Sequence, residues 1–140
     1  MEFRLYYRGG LRANGPAEVK QNLRRHFHKQ LKSLWHQPSS AGGYKVQLIR
    51  DEAALVIERA QRTVGRFRCM PIVSSVVSLT AELEILFLRP QPPGSIIGSG
   101  GDIDNRLKTL LDGLRLPRDG EIEPGDRPTE DEDPLYCLLE

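Results

Sequence analysis

The chain has 140 residues, of which 28% are charged and 39% hydrophobic, and its formal net charge is +1. This length suits one domain that buries most of the surface its unfolded chain exposes, and the composition is that of an ordinary globular protein. A membrane protein is not expected, because no apolar run approaches the ~20 residues that span a bilayer. Cys69 and Cys137 have no CxxC spacing and cannot form a zinc site alone, and no signal sequence opens the chain. We therefore expect a cytoplasmic protein with two buried thiols.

The net charge conceals an asymmetry along the chain. Residues 1–116 contain 18 Lys/Arg and 10 Asp/Glu, whereas residues 117–140 contain 2 Lys/Arg and 9 Asp/Glu. A basic body permits a polyanionic partner such as nucleic acid, although an ordinary solvated surface with an acidic loop has the same composition.

The N-terminal third predicts a strand followed by a helix. Residues 2–8 are rich in aromatic residues and leucine and predict a first strand. Pro16 suits the first turn of a helix, and apolar residues recur at helical spacing from Ala17 to about His36. The other faces of this helix are basic, and Pro38 with a Ser/Gly loop ends it.

The rest of the chain predicts strands and one further helix. Residues 44–49 are a short strand or part of a loop, and residues 51–63 are ambiguous. Residues 65–73 predict a strand interrupted at Pro71, and residues 79–87 alternate well enough to be the clearest strand of all. A helix from 104 or 105 to 114 and a final strand at 135–140 follow. The order predicts a single α/β (α+β) domain, 1–140, with a small mixed sheet covered by two main helices.

The stretch GSGGDIDNRLKTLLDGL, residues 98–114, carries the chemistry. Leucines spaced i, i+3, i+4 and i+7 give the helix one apolar stripe, while Asp104, Lys108 and Asp112 lie one above another on a different face. Asp102 precedes the helix, so its carboxylate can turn toward that of Asp104. Two converging carboxylates suit Mg²⁺ or Mn²⁺, which can activate water for attack on a phosphodiester. Spacing alone leaves an alternative open, in which the aspartates only cap a helix and Lys108 pairs with Asp112 on its surface.

The pattern Asp-x-Asp-Asn-x-x-Lys-x-x-x-Asp-x-Leu resembles the signature of the RusA family of Holliday-junction resolvases. The likeness is tight over residues 98–114 and loose over 1–90, where Asn14 ends an N-terminal strand and turn as in that family. It implies a small α/β fold that forms a homodimer and cleaves four-way DNA junctions with Mg²⁺, with no small-molecule cofactor. It implies metal-binding and catalytic roles for Asp102 and Asp104 and a catalytic role for Lys108. Asn105 and Asp112 are the remaining polar positions of the signature.

The family also has a further aspartate on the strand after the helix, and here the sequence departs from it. The link after the helix is longer and acidic, and the expected position falls near CLLE at the end of the chain. Two expectations follow: Glu140 is the third metal ligand, or the natural protein continues past Glu140 and supplies it there.

The remaining charged segments are interpreted against that hypothesis. The resemblance and the basic helix together give the expected DNA contacts, which are Asn14, Lys20, Arg24, Arg25, Lys29 and Lys32. Residues 117–134 are expected to be an acidic, Pro/Gly-rich insert that is disordered, with control of DNA access as the alternative. Three functions stay open: an endonuclease for branched DNA, a DNA-junction binder that does not cut, and an interaction domain whose aspartates only cap a helix.

Overall fold

A computed structural model of the chain describes residues 2–36, 55, 57–88 and 103–140. The strand considered at 44–49 and the predicted metal ligand Asp102 lie outside these ranges. The elements, in chain order, are α1 (Ala17–Trp35), β1 (Arg62–Val64), β2 (Phe67–Val73), α2 (Ile103–Leu114), a 3₁₀ turn (Glu130–Glu132) and β3 (Leu135–Leu139). No helix within these ranges has the length and apolar character needed to cross a membrane.

The strands form one mixed sheet in the order β1-β2-β3. β1 pairs with β2 in an antiparallel sense, and β2 pairs with β3 in a parallel sense, with Pro71 opposite Cys137. Contrary to the prediction, Pro71 does not interrupt its strand. The antiparallel register with β1 ends at Cys69, so the ladder on that side no longer needs an N–H donor where the proline stands. The predicted α+β class with a small mixed sheet is confirmed.

α1 packs on the sheet through the apolar stripe that predicted it. Leu23, Phe27, Leu31 and Leu34 are buried in one cluster with Met70, Ile72, Leu114, Tyr136 and Leu138. A second cluster, on Phe67, Leu116 and Leu135, contains both thiols, which are free and buried as expected.

α2 crosses α1 at close range because a glycine lies where they touch. A Cβ added at Gly113 would come within 2.7 Å of the Leu23 Cβ, so a larger residue would separate the helices. The same holds where the chain enters α1: a Cβ at Gly15 would lie 2.7 Å from Cγ2 of Thr109 on α2. Close packing at both points fixes α2 against α1.

Two predicted strands are wrong. Within the described part of the chain, residues 79–88 pair with no strand, and Leu83, Ile85, Leu86 and Leu88 are exposed. Alternation expresses fit to a pleated surface, but a strand also needs a neighbour to hydrogen-bond. Residues 2–8 likewise lie outside the sheet. The Gln30 side chain on α1 takes the place of a partner strand, because it accepts from the Tyr6 N–H and donates to the Tyr6 carbonyl.

The acidic segment 117–134 is packed against α1, contrary to the expectation of disorder. Arg25 donates to Asp126 at 2.7 Å and to Glu132 at 2.9 Å, and it also donates to the carbonyl of Arg127. Glu132 is buried and accepts a second bond from the Thr129 N–H at 2.9 Å. Opposite charges on the helix and the segment hold the segment in place.

Candidate functional site

The predicted site lies at the beginning of α2. The helix starts at Ile103, so Asp104 occupies its first turn, where a carboxylate is favoured by the helix dipole. Asp104 and Lys108 are both exposed, and they lie one turn apart on the same side of the helix. Asp102 would directly precede this turn. The structure thus presents an acid and a base of the signature to solvent at one helix end.

Asn105 contributes through its backbone. Its carbonyl oxygen accepts hydrogen bonds from the Thr109 hydroxyl at 3.0 Å and from the Asn14 N–H at 3.4 Å. Asn14 has a φ of 49°, a left-handed conformation that asparagine tolerates better than most residues. Asn14 and Asn105, which are distant in the sequence, therefore meet at the start of α2.

Asp112 is the member of the signature that the fold uses internally. Its carboxylate lies 2.7 Å from Nζ of Lys20 and 3.0 Å from the Arg115 guanidinium, and its side chain is 15% exposed. Burial raises the pKa of this carboxyl, but the hydrogen bonds from Lys20 and Arg115 outweigh it and leave the pKa below its ordinary value. Asp112 fixes the far end of α2 to α1, two turns from Asp104.

Glu140, the expected third ligand, is bound to another part of the protein. Its Oε2 accepts from the N–H and the hydroxyl of Ser75 at 3.1 Å each, and its Oε1 lies 3.3 Å from the Arg62 guanidinium. No group of three His, Cys, Asp or Glu side chains that could hold a metal occurs in the described ranges. These contacts give Glu140 a structural role at the end of β3.

The basic face of α1 is largely neutralised by the protein itself. Besides the Lys20–Asp112 pair, Lys32 donates to Asp131 at 2.6 Å and Arg25 is held by two carboxylates. Lys29 is exposed and forms no ion pair with any described residue. Lys20, Arg25 and Lys32 thus face intramolecular carboxylates, and so does Arg24. Among the five expected DNA contacts on α1, Lys29 is the one that forms no ion pair with a described residue.

Arg24 is buried, contrary to the expectation that it lies on the solvated face of α1 and contacts DNA. The side chain is 0% exposed and makes an ion pair of 3.0 Å with Glu121. It also donates to the carbonyls of Asp112 at 2.7 Å and Arg115 at 3.1 Å. A guanidinium is suited to this position, since its several donors can satisfy the open carbonyls at the end of a helix. Arg24 therefore holds the C-terminal end of α2.

Sequence reasoning missed this network, although its signal was present. The chain carries its excess of positive charge before residue 117 and its excess of negative charge after it. The basic residues of α1 that suggest a surface for an external polyanion pair instead with the acidic segment of the same chain. Helical spacing did not separate Arg24 from its exposed neighbours, because the face that is buried depends on where α2 and the segment pack.

His28 also serves the fold. It is buried, its Nδ1 accepts from the Tyr136 N–H at 2.9 Å, and its Nε2 donates to the Asp131 carbonyl at 2.9 Å. Both ring nitrogens are used, so the imidazole is neutral. Burial lowers its pKa below the ordinary value, and the bond to Asp131 offsets only part of that effect. His28 therefore has no ring nitrogen left to bind a metal.

No family model, curated protein or solved structure matches this chain. What is known of the site therefore comes from its own residues and geometry.

Proposed function

We propose that this chain is a Mg²⁺-dependent endonuclease of the RusA type that cleaves phosphodiester bonds in four-way or other branched DNA. One observation carries the proposal: Asp104 and Lys108 of the signature are exposed one turn apart at the start of α2. A ligand in solvent can reach both side chains. Asp112, the third charged residue of the signature, is 15% exposed and is held by Lys20 and Arg115.

The chemistry of the donors fits a hard divalent cation. Asp104 and Asp102 would hold Mg²⁺ or Mn²⁺ through carboxylate oxygens, the ligands these ions prefer. When bound, the ion would polarise the phosphodiester and lower the pKa of a bound water. Glu140 is not part of this proposal, because its two oxygens are engaged by Ser75 and Arg62.

The chain's own residues would then position the substrate and balance its charge. Lys108 reaches solvent beside Asp104 and would donate to a non-bridging phosphate oxygen, where negative charge accumulates in the transition state. Arg24 and the close approach at Gly113 fix α2 against α1, and this would hold Asp104 and Lys108 in a constant position relative to α1. A homodimer, which the resemblance implies, would bring two such sites to one junction.

A second function has an observation in its favour. Glu140, the expected third metal ligand, is engaged instead by Ser75 and Arg62. A protein with this fold that binds branched DNA without cutting it would need no third metal ligand. It would share the exposed Lys108 but would not depend on the charge of Asp104.

The test is cleavage of a synthetic four-way junction by the purified chain with Mg²⁺, and then with Mn²⁺. We expect cleavage that is abolished in Asp104→Asn and in Lys108→Gln. Asp119→Asn, the same chemical change at an exposed site in the loop after α2, is the matched control and should cut like the parent. Junction binding without cleavage by the parent would support the second function. If the parent neither binds nor cleaves the junction, both functions are refuted.

A further inference from the structure

The N-terminal segment, residues 2–14, presents a row of basic side chains and an aromatic side chain to solvent. Burial alternates along it: Phe3, Leu5 and Tyr7 pack on the core, whereas Arg4, Tyr6 and Arg8 are exposed. A period of two is that of an extended chain, in which alternate side chains share a face and lie about 6.5 Å apart. Arg12 is exposed further along the same segment.

The charges of this row are available to a partner. Within the part of the chain that the structure describes, Arg4, Arg8 and Arg12 form no ion pair. This is the opposite of α1, where Lys20 and Arg25 are already neutralised by carboxylates at 2.7–2.9 Å. A polyanion would gain more from the segment than from the helix, because it would not have to displace an intramolecular partner.

The row leads to the candidate site. At its end, the Asn14 N–H donates to the carbonyl of Asn105 in the first turn of α2. Arg106, one residue further along α2, donates from its guanidinium to the Leu11 carbonyl. The segment is thereby attached to the same helix end that exposes Asp104 and Lys108. A ligand that follows the arginines would arrive beside these two residues.

Tyr6 adds the second kind of contact. Tyr6 is 67% exposed, so its ring is open to a partner in solvent. Its backbone is fixed by Gln30 and by His26, whose Nε2 donates to the Tyr6 carbonyl at 2.8 Å. An exposed ring on a fixed backbone between two cations is the arrangement that binds a nucleic-acid strand: cations follow the phosphates and an unpaired base stacks on the ring.

We propose that a DNA strand with unpaired bases binds along residues 4–12, with Arg4, Arg8 and Arg12 on its phosphates and Tyr6 stacked on a base. This rests on the proposed function, since it places the substrate strand on a path to Asp104. It moves the main DNA surface from α1, where the sequence predicted it, to the segment that precedes α1.

The experiment measures binding of a labelled single-stranded oligonucleotide to the full chain in EDTA, so that cleavage is not required. In Arg4→Gln/Arg8→Gln, the negative slope of log K against log [salt] should become less steep by about 1.4, since each phosphate that an arginine neutralises contributes about −0.7 to the slope. Arg59→Gln/Arg66→Gln removes the same charge from exposed arginines elsewhere and should leave the slope unchanged. Equal slopes in the two double variants would overturn the proposal.

The aromatic contact has its own test with a conservative variant. Tyr6→Ala should weaken binding of the oligonucleotide about 5- to 150-fold, whereas Tyr6→Phe, which keeps the ring, should bind like the parent. On a fully paired duplex of the same sequence, Tyr6→Ala should have no effect. Similar weakening in Tyr6→Ala and Tyr6→Phe would refute stacking. If the oligonucleotide binds with these salt slopes and Tyr6 effects but the chain never cuts a junction, the proposed nuclease function is refuted and the proposed strand-binding surface is not.

Discussion

Replacement of Arg24 by methionine tests the network that holds α2 in place. Methionine keeps most of the length of the side chain but removes every donor. The carbonyls of Asp112 and Arg115 would then be left without the bonds of 2.7 and 3.1 Å that Arg24 now provides. An unsatisfied buried acceptor costs about 1–3 kcal/mol, so these two partly buried carbonyls together cost up to about 6 kcal/mol.

This destabilisation is large against the stability of a typical domain, about 5–15 kcal/mol. Urea denaturation monitored by far-UV circular dichroism would measure it. Arg68→Gln is the matched control, because Arg68 pairs with Asp133 at 2.8 Å but both side chains are 52% exposed. An exposed pair of this kind contributes about 0–1 kcal/mol.

A double-mutant cycle separates the ion pair from the carbonyl bonds. Glu121 keeps Arg115 at 2.6 Å and the Arg118 N–H at 3.1 Å when Arg24 is absent. We therefore expect Glu121→Gln to cost less in the Arg24→Met background than in the parent, with a coupling of about 0.5–3 kcal/mol. If Arg24→Met costs no more than Arg68→Gln, Arg24 does not hold the end of α2 and the reasoning fails.

Two further predictions concern the surroundings of α1. The His28 imidazole is held neutral with a lowered pKa, whereas the unfolded chain takes up this proton near pH 6.5. Stability should therefore fall as the pH drops below about 6.5, by at most about 1.4 kcal/mol per pH unit. In His28→Gln, the melting temperature should depend less on pH between pH 7.5 and 5 than it does in the parent. The same pH dependence in both proteins would contradict this. Gly15→Ala should destabilise by about 1–3 kcal/mol through its clash with the Thr109 Cγ2, as measured in urea. Thr109→Ser removes that methyl group and keeps the hydroxyl, so it should recover part of the stability, and a Gly15→Ala protein as stable as the parent would refute the clash.

Local pattern predicted the helices because each carries a complete apolar stripe. α1 runs over Ala17–Trp35 and α2 over Ile103–Leu114, close to the predicted bounds. The final strand was also correct, since its residues are apolar and buried on both faces. In each of these elements apolar residues that form the sequence pattern pack in the core.

The errors occurred where a partner decides the structure. Residues 79–88 alternate like a strand, yet among the described residues they have no neighbour to pair with. Residues 117–134 have the composition of a disordered loop, but Arg25 and Lys32 give their carboxylates partners at 2.6–2.9 Å. Composition reports the charge of a segment and not the charge of the surface it meets.

The candidate site was predictable in part for the same reason. The spacing already placed Asp104 and Lys108 outside the leucine stripe, and both side chains are exposed. The internal roles of Asp112 and Glu140 depend on Lys20, Arg115, Arg62 and Ser75, which are distant in sequence or lie beyond the helix. The basic row on residues 4–12 was hidden because residues 2–8 were assigned to a strand in the sheet.

The central claim is that Asp104 acts through its charge at a metal-dependent nuclease site. The most direct measurement compares cleavage of a labelled four-way junction by the parent, Asp104→Asn and Asp119→Asn, with Mg²⁺ present and absent. We expect cleavage by the parent and by Asp119→Asn only when Mg²⁺ is present, and none by Asp104→Asn at equal junction binding. Cleavage by Asp104→Asn at the parent rate would contradict the assignment.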